Sequence, residues 1–184
     1  MSVVVICLLG VFYLSYNKSN GNEIDLTELK HDDFYQYKQI PWGTSKEDVE
    51  RKLDITLTEM KGTQGVVYRT ENVLKGEFSD SLFEFHEGLS EIKFQFGNMN
   101  SSKTEKDLTD LKNDILNELV RTYGEFEEKT ELQNSRDRKE ISYKWFTMDA
   151  ENVDTYLYLD VVSNEERVFY ISLAVGENID IGSL

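Results

Sequence analysis

The chain has almost no cysteine, proline, alanine or histidine, and each shortage removes a class of explanation. Its one cysteine, Cys7, lies in an apolar N-terminal run, so the rest of the chain holds neither a disulfide nor a thiolate metal site. Imidazole chemistry has two candidates, His31 and His86. His86 ends a predicted strand beside Glu84 and Glu87, and alternation puts Glu84 and His86 on one face. Zinc sites usually need three or four protein ligands, so a solvated strand end is the reading there, and likewise for His31-Asp32-Asp33. The chain contains no Gly-x-Ser-x-Gly, phosphate-binding loop, His-Glu-x-x-His or calcium loop. No catalytic residue, cofactor or metal ligand is assigned, and nothing singles out a serine for a Ser–His–Asp triad.

Positive charge is also scarce. The chain has 20 basic and 35 acidic residues, a net charge of −15. Lys18 is the only charged residue among positions 1–21, so the remainder carries −16. A field of that sign repels phosphate backbones and anionic membranes, which argues against nucleic acid as a partner. Basic proteins, cationic peptides and metal ions remain compatible. Carboxylate neighbours such as Asp48/Glu50 and Glu125/Glu127/Glu128/Glu131 are so frequent that sequence proximity says little about acid–base catalysis.

What the chain does have is a sharp boundary. Val3 to Tyr16 is uncharged and almost wholly apolar, and it breaks at Asn17-Lys18-Ser19-Asn20-Gly21-Asn22. As a helix, residues 3–16 would reach about 21 Å against roughly 30 Å of bilayer core, which suits a signal peptide better than a full span. No Lys or Arg precedes the run, and Ser19-Asn20-Gly21 is the nearest candidate cleavage site. Residues 1–16 are therefore read as a signal peptide or short membrane anchor. Val4-Val5-Ile6 lacks the small residues that lipoprotein processing at Cys7 would need. Residues 17–36 read as a polar tether with scattered apolar positions (Ile24, Leu26, Leu29, Phe34), and 37–184 as a single domain. Its 39% apolar content and its ten Tyr and ten Phe are enough for a core.

Within the domain the same order of elements occurs twice. Thr44 and Glu47 form a capping box ahead of a short helix with Val49 and Leu53 on one face. Strand-like runs follow at 65–74, 81–86 and 89–96, with Glu87-Gly88 turning between the last two. Ile92, Phe94 and Phe96 alternate there with Glu91, Lys93 and Gln95. A long helix is predicted over 104–123, with Leu111, Ile115 and Leu119 as its apolar stripe, Ser102/Glu105 or Thr104/Asp107 as caps, and Gly124 closing it. A charged connector over 125–139 leads to strands around 141–145, 156–162 and 168–175, with Asn164-Glu165-Glu166 turning between the last two. Helix–three strands–helix–three strands is an α+β plan. The expected fold is an antiparallel sheet of about six strands with two helices packed on one face.

The segment Ile40-Pro41-Trp42-Gly43-Thr44-Ser45-Lys46-Glu47-Asp48-Val49-Glu50-Arg51-Lys52-Leu53 resembles a motif of small secreted or lipid-anchored bacterial proteins. The outer-membrane assembly lipoproteins of the SmpA/BamE type and the β-lactamase-inhibitor-protein fold share it. The resemblance covers these fourteen residues and implies a small non-enzymatic α+β module that binds other proteins. Asp54-Ile55 replaces the Gly-x-Pro that often follows, and no lipobox cysteine is present. The scarcity of Ala and Pro with plentiful Asn, Lys, Glu and Tyr is the bias of an AT-rich bacterial genome and fits a Gram-positive source, which has no outer membrane. The resemblance therefore carries a style of fold and of binding, without the assembly role.

Trp42 and Trp145 with the many tyrosines could line a recognition surface, but aromatics at period two or next to a helix cap more often belong to a core. The run 156–162 differs, because Leu157, Leu159 and Val161 share one face and Tyr156, Tyr158 and Asp160 the other. If the leucine face is buried, two tyrosines stand in a row on the sheet, a favoured composition for an interface. The resulting expectation is an exported or membrane-tethered bacterial protein, extracytoplasmic and non-enzymatic, that binds another protein, a basic one for preference. Its candidate contact residues are Tyr156, Tyr158, Glu125, Glu127 and Glu128. An immunity-type inhibitor of a basic toxin or enzyme, and a cell-envelope hydrolase whose site looks ordinary in sequence, are the alternatives. Fractionation of cells tests the address. The full chain should locate to the membrane or outside and residues 22–184 to the cytosol, whereas equal cytosolic distribution would remove the targeting role of residues 1–16.

Overall fold

The computed structural model describes residues 23–61, 66–98, 106–135, 138–149 and 152–178. The apolar run at 1–16, the first part of the tether and the caps proposed at Ser102 and Thr104 lie outside them. In chain order the elements are β1 (Lys30–His31), β2 (Phe34–Tyr35), α1 (Lys46–Leu53), β3 (Thr58–Glu59), β4 (Val66–Leu74), β5 (Glu77–Phe85), β6 (Leu89–Gly97), α2 (Thr109–Tyr123), β7 (Glu128–Ser135), β8 (Arg138–Asp149), β9 (Asn152–Ser163) and β10 (Val168–Glu177).

The α+β expectation, a six-stranded sheet with two helices packed on one face, is corrected by this architecture. The protein is mostly β. An eight-stranded antiparallel sheet runs in the order β3-β4-β5-β6-β10-β9-β8-β7, β1 and β2 form a separate small sheet, and two α-helices occur among the described residues. Each helix is followed by four strands, and the two meanders join where β6 pairs with β10. α2 carries the chain from the middle of the sheet to its far edge.

The two additional strands lie at the edges, where the hydrophobic period is weakest. β3 has two exposed residues paired with Arg69 and Tyr68 of β4. β7 occupies the charged connector. It is held by backbone pairing to β8 and by side-chain charge, Glu128 meeting Lys144 at 3.3 Å and Glu131 meeting Lys139 at 2.6 Å. Charged residues suit an edge strand because they discourage pairing with another chain. β5 begins earlier than its apolar pattern suggests because Lys75-Gly76 makes a two-residue turn. Both residues have positive φ, 51° and 82°, the combination of a type I′ hairpin.

Cross-strand rows build the inner face. Phe83, Ile92, Val175, Leu157 and Trp145 lie side by side over five strands, and Phe94, Leu173, Leu159 and Tyr143 form the next row. All of these are buried. Leu111, Ile115 and Leu119 of α2 join the same core, as their spacing predicts. Asp107 sits at the entry to α2, its carboxylate accepting from the Thr109 N–H at 2.9 Å, and Gly124 closes the helix at φ +87°.

The last part of the segment read as a tether supplies core. Ile24, Leu26, Leu29 and Tyr35 are buried, as are Tyr37 and Ile40 beyond it. Hydrogen bonds fix the segment in place. The Tyr123 hydroxyl donates to the Leu26 carbonyl at 2.6 Å and accepts from the Leu29 N–H at 3.0 Å, and the Tyr35 N–H donates to Thr155 Oγ1 at 2.8 Å. Apolar residues at irregular spacing carry no period, so their burial is invisible until something is found for them to cover.

The Trp-Gly-Thr segment also has a structural task. Ser45, rather than the expected Thr44, caps α1, its hydroxyl accepting from the Asp48 N–H at 3.3 Å, while the Thr44 hydroxyl donates to the Pro41 carbonyl. Gly43, at φ +79°, donates to the Leu89 carbonyl, and the Leu89 N–H donates to Thr44, both at 2.9 Å. The loop lies so tightly on the β5–β6 turn that a Cβ on Gly88 would stand 2.2 Å from the Gly43 carbonyl oxygen. Trp42 Nε1 donates to the Tyr35 carbonyl at 3.0 Å and ties the loop back to the N-terminal segment.

Ile115 is fully buried and Asp114 beside it is exposed. Ile115→Ala should lower the unfolding free energy by about 2–5 kcal/mol and Asp114→Ala by under about 0.5 kcal/mol. Urea melts showing equal losses would put the wrong face of α2 on the core.

Candidate functional site

The outer face of the sheet carries the candidate residues. Because side chains alternate, burial of Leu157, Leu159 and Val161 forces Tyr156, Tyr158 and Asp160 to the opposite side. Strand register then lines up their neighbours. Phe146, Tyr156, Gly176 and Glu91 form one row across β8, β9, β10 and β6. The next row is Lys144, Tyr158, Ala174 and Lys93, and the third is Ser142, Asp160, Ser172 and Gln95. The middle strand thus offers only Gly176, Ala174 and Ser172, low positions between taller side chains.

Tyr156 uses that low ground. A Cβ on Gly176 would fall 2.5 Å from the Tyr156 hydroxyl oxygen, so the ring lies over the glycine and its hydroxyl reaches Glu91 Oε2, donating at 2.7 Å. Glu91 also holds Lys93 Nζ at 2.6 Å. Tyr158 stacks on Tyr156 with centroids 4.4 Å apart and planes at 20°. On its other side Lys144 Nζ stands 5.5 Å from the Tyr158 ring centre and bridges to Glu128 at 3.3 Å. The Ser142 hydroxyl donates to Asp160. Glu91, Tyr156, Tyr158, Lys144 and Glu128 therefore form a continuous strip in which charges alternate around a stacked aromatic pair.

Burial pushes the Tyr156 hydroxyl above its ordinary value, and the charge of the Glu91 carboxylate, which accepts its hydrogen bond, adds to the rise. Tyr158 is also raised, chiefly by burial. Both therefore act as neutral aromatic surface with hydrogen-bonding tips. Below the pair lies a shallow depression of about 380 Å³ floored by Ser172 and bordered by Gln95, Asp160, Ser142 and Tyr170. Further along the same face, Phe78 and Leu132 are exposed.

The structure brings together three of the five residues named from sequence, Tyr156, Tyr158 and Glu128, with Lys144 as the link. Glu125 is exposed in the turn between α2 and β7, before the strand begins. Glu127 acts on Tyr35, whose hydroxyl is pushed up first by burial and then by the Glu127 charge. Neither belongs to the strip. His86 is exposed at the end of β5, and its charge acts on Glu177, whose carboxyl is raised chiefly by burial. Among the described residues no group of three or more His, Cys, Asp and Glu could hold a metal ion, and no helix is long and apolar enough to cross a membrane.

Sequence reasoning missed Glu91, Lys93, Gly176 and Ser172 as members of the site. Alternation in β6 places Glu91 and Lys93 opposite Ile92, yet nothing local says that β6 pairs with β10. Comparison with protein-family models, curated proteins and solved structures finds no match, so the functional reading rests on these residues alone.

The raised Tyr156 gives a pH test. Above its ordinary value of 10.0 the unfolded chain loses a proton that the folded state keeps, so stability falls as pH rises past that point. Tyr156→Phe should cost about 1.5–3 kcal/mol at pH 8 through the lost hydrogen bond to the Glu91 carboxylate. Its urea-melt stability should then decline less steeply above pH 10.0 than the parent's. Equal slopes would mean that the hydroxyl ionises as freely in the folded protein as in the unfolded chain.

Proposed function

We propose that the protein is a non-enzymatic binding module, exported or held at a membrane by residues 1–16, that docks another protein on the outer face of its sheet. The observation that carries this reading is the Tyr156–Tyr158 stack standing on the outer face, with Lys144 and Glu91 at its two ends. A stacked pair braced by neighbours presents a preordered aromatic patch, so little side-chain entropy is lost when a partner covers it. The hydroxyls and flanking charges then set orientation. The net charge of −15 favours a basic partner and fast association with it, which is also what an immunity-type inhibitor of a cationic toxin or enzyme requires.

A photo-crosslinking residue placed at Tyr158 in the producing cell should trap one discrete partner, and the same probe at Asp114 should not. Tyr158→Ala, with the probe at Leu132 on the same face, should abolish the adduct while the melting temperature changes little. A trapped adduct unaffected by Tyr158→Ala would move the contact off the aromatic strip. A basic partner whose complex weakens with added salt would favour the inhibitor reading.

A further inference from the structure

Resting on the reading of the outer face as the partner surface, we infer that the depression beside Ser172 and Asp160 receives one arginine side chain of that partner. The site is built by register. Gln95, Ser172 and Asp160 stand directly opposite one another on β6, β10 and β9, so a carboxylate, a hydroxyl and an amide converge on one row. Ser172 is 4% exposed, and the one group that reaches its Oγ is the Tyr170 hydroxyl, in a contact that falls short of ordinary hydrogen-bond length and angle. A buried hydroxyl left in that state is costly unless a ligand completes it.

Charge pairing identifies the ligand's sign. Lys93 lines the depression and Arg138 pairs with its border residue Glu140, so each cation has a carboxylate of its own. Lys93 is held by Glu91 at 2.6 Å, and Arg138 by Glu140 at 3.1 Å. Of the two carboxylates that line the depression, Glu140 is paired and half-buried Asp160 has no ion pair among the described residues, its side-chain partner being the Ser142 hydroxyl. A cation entering here restores the balance, whereas an anion would face Asp160 and Glu140 together.

The planar geometry favours guanidinium over ammonium. Arginine presents several N–H donors in a rigid fork, which suits acceptors spread along a row, namely Asp160, Ser172 Oγ and the Gln95 carbonyl. Tyr170 borders the depression, so an aromatic side chain lies beside the entering group. The space of about 380 Å³ is enough for one side-chain head and too shallow to enclose a larger ligand.

The probe is N-acetyl-arginine amide, titrated into the isotope-labelled full chain in non-ionic detergent and followed by NMR. Saturable shifts should appear at the amides of Gln95, Asp160 and Ser172, and N-acetyl-citrulline amide, uncharged and nearly isosteric, should leave them in place. Asp160→Asn should weaken arginine binding by at least about tenfold. Ser172→Ala, close in size and suited to a buried position, should weaken it measurably and carries the test if Asp160→Asn fails to fold. Shifts that never saturate and spread over the acidic surface would overturn the inference, as would parent-like binding by both variants. Failure of the broader reading looks different. A partner trapped at Tyr158 and retained by Asp160→Asn removes the arginine anchor and leaves the interface standing. Arginine-amide binding with no adduct at Tyr158 keeps the pocket and removes the aromatic interface.

Discussion

The pairing of β6 with β10 is the constraint on which both faces of this protein depend. It joins two four-stranded meanders whose members are otherwise neighbours in the chain, and it closes a long excursion through α2 and β7–β9. On the inner face it sets Phe94 against Leu173 and Ile92 against Val175, linking the core rows of the two halves. On the outer face the same register sets Glu91 against Gly176 and Gln95 against Ser172. A slip of one residue would turn both sets over together, exposing the core rows and burying the charges. Stability of the core and composition of the surface are thus one decision.

The surface that follows is shaped by what the middle strand lacks. Gly176, Ala174 and Ser172 leave room that the taller residues of β9 and β6 close over. Tyr156 crosses the gap to Glu91, while the Ser172 end stays open as a depression. A rigid aromatic strip with an unfilled polar hollow beside it suits recognition by shape and charge. The polar groups there are the Asp160 carboxylate, the Ser142 and Ser172 hydroxyls and the Gln95 amide, an arrangement suited to holding a partner's side chain.

Closure of the inner face is shared between α2 and the irregular segment from Ile24 to Ile40. Tyr123 binds the two together, donating to Leu26 and accepting from Leu29. The Trp-Gly-Thr segment serves the same closure. Its glycine lets the backbone lie on the β5–β6 turn where Gly88 leaves no side chain in the way. Local contact geometry accounts for this motif in full, so its residues inform the fold more than the function.

Elements with a strong period were legible in the chain. The stripe of α2, the alternation of β6 and the two-faced run of β9 follow from residue spacing, as does the Asn164 turn, whose side chain accepts from Glu166 and Arg167. Edge strands were not, because β7 is mostly polar with no apolar alternation and is held by backbone pairing to β8, with Lys139 and Lys144 across the ladder. The Lys75-Gly76 turn escaped notice because lysine seldom adopts positive φ. Spacing alone determined that Tyr156 and Tyr158 share a face opposite Leu157 and Leu159. Only the tertiary structure decided that Glu91, Gly176 and Ser172 stand beside them, because strand order and register are set by contacts between residues distant in the chain, and those contacts leave no local period to read.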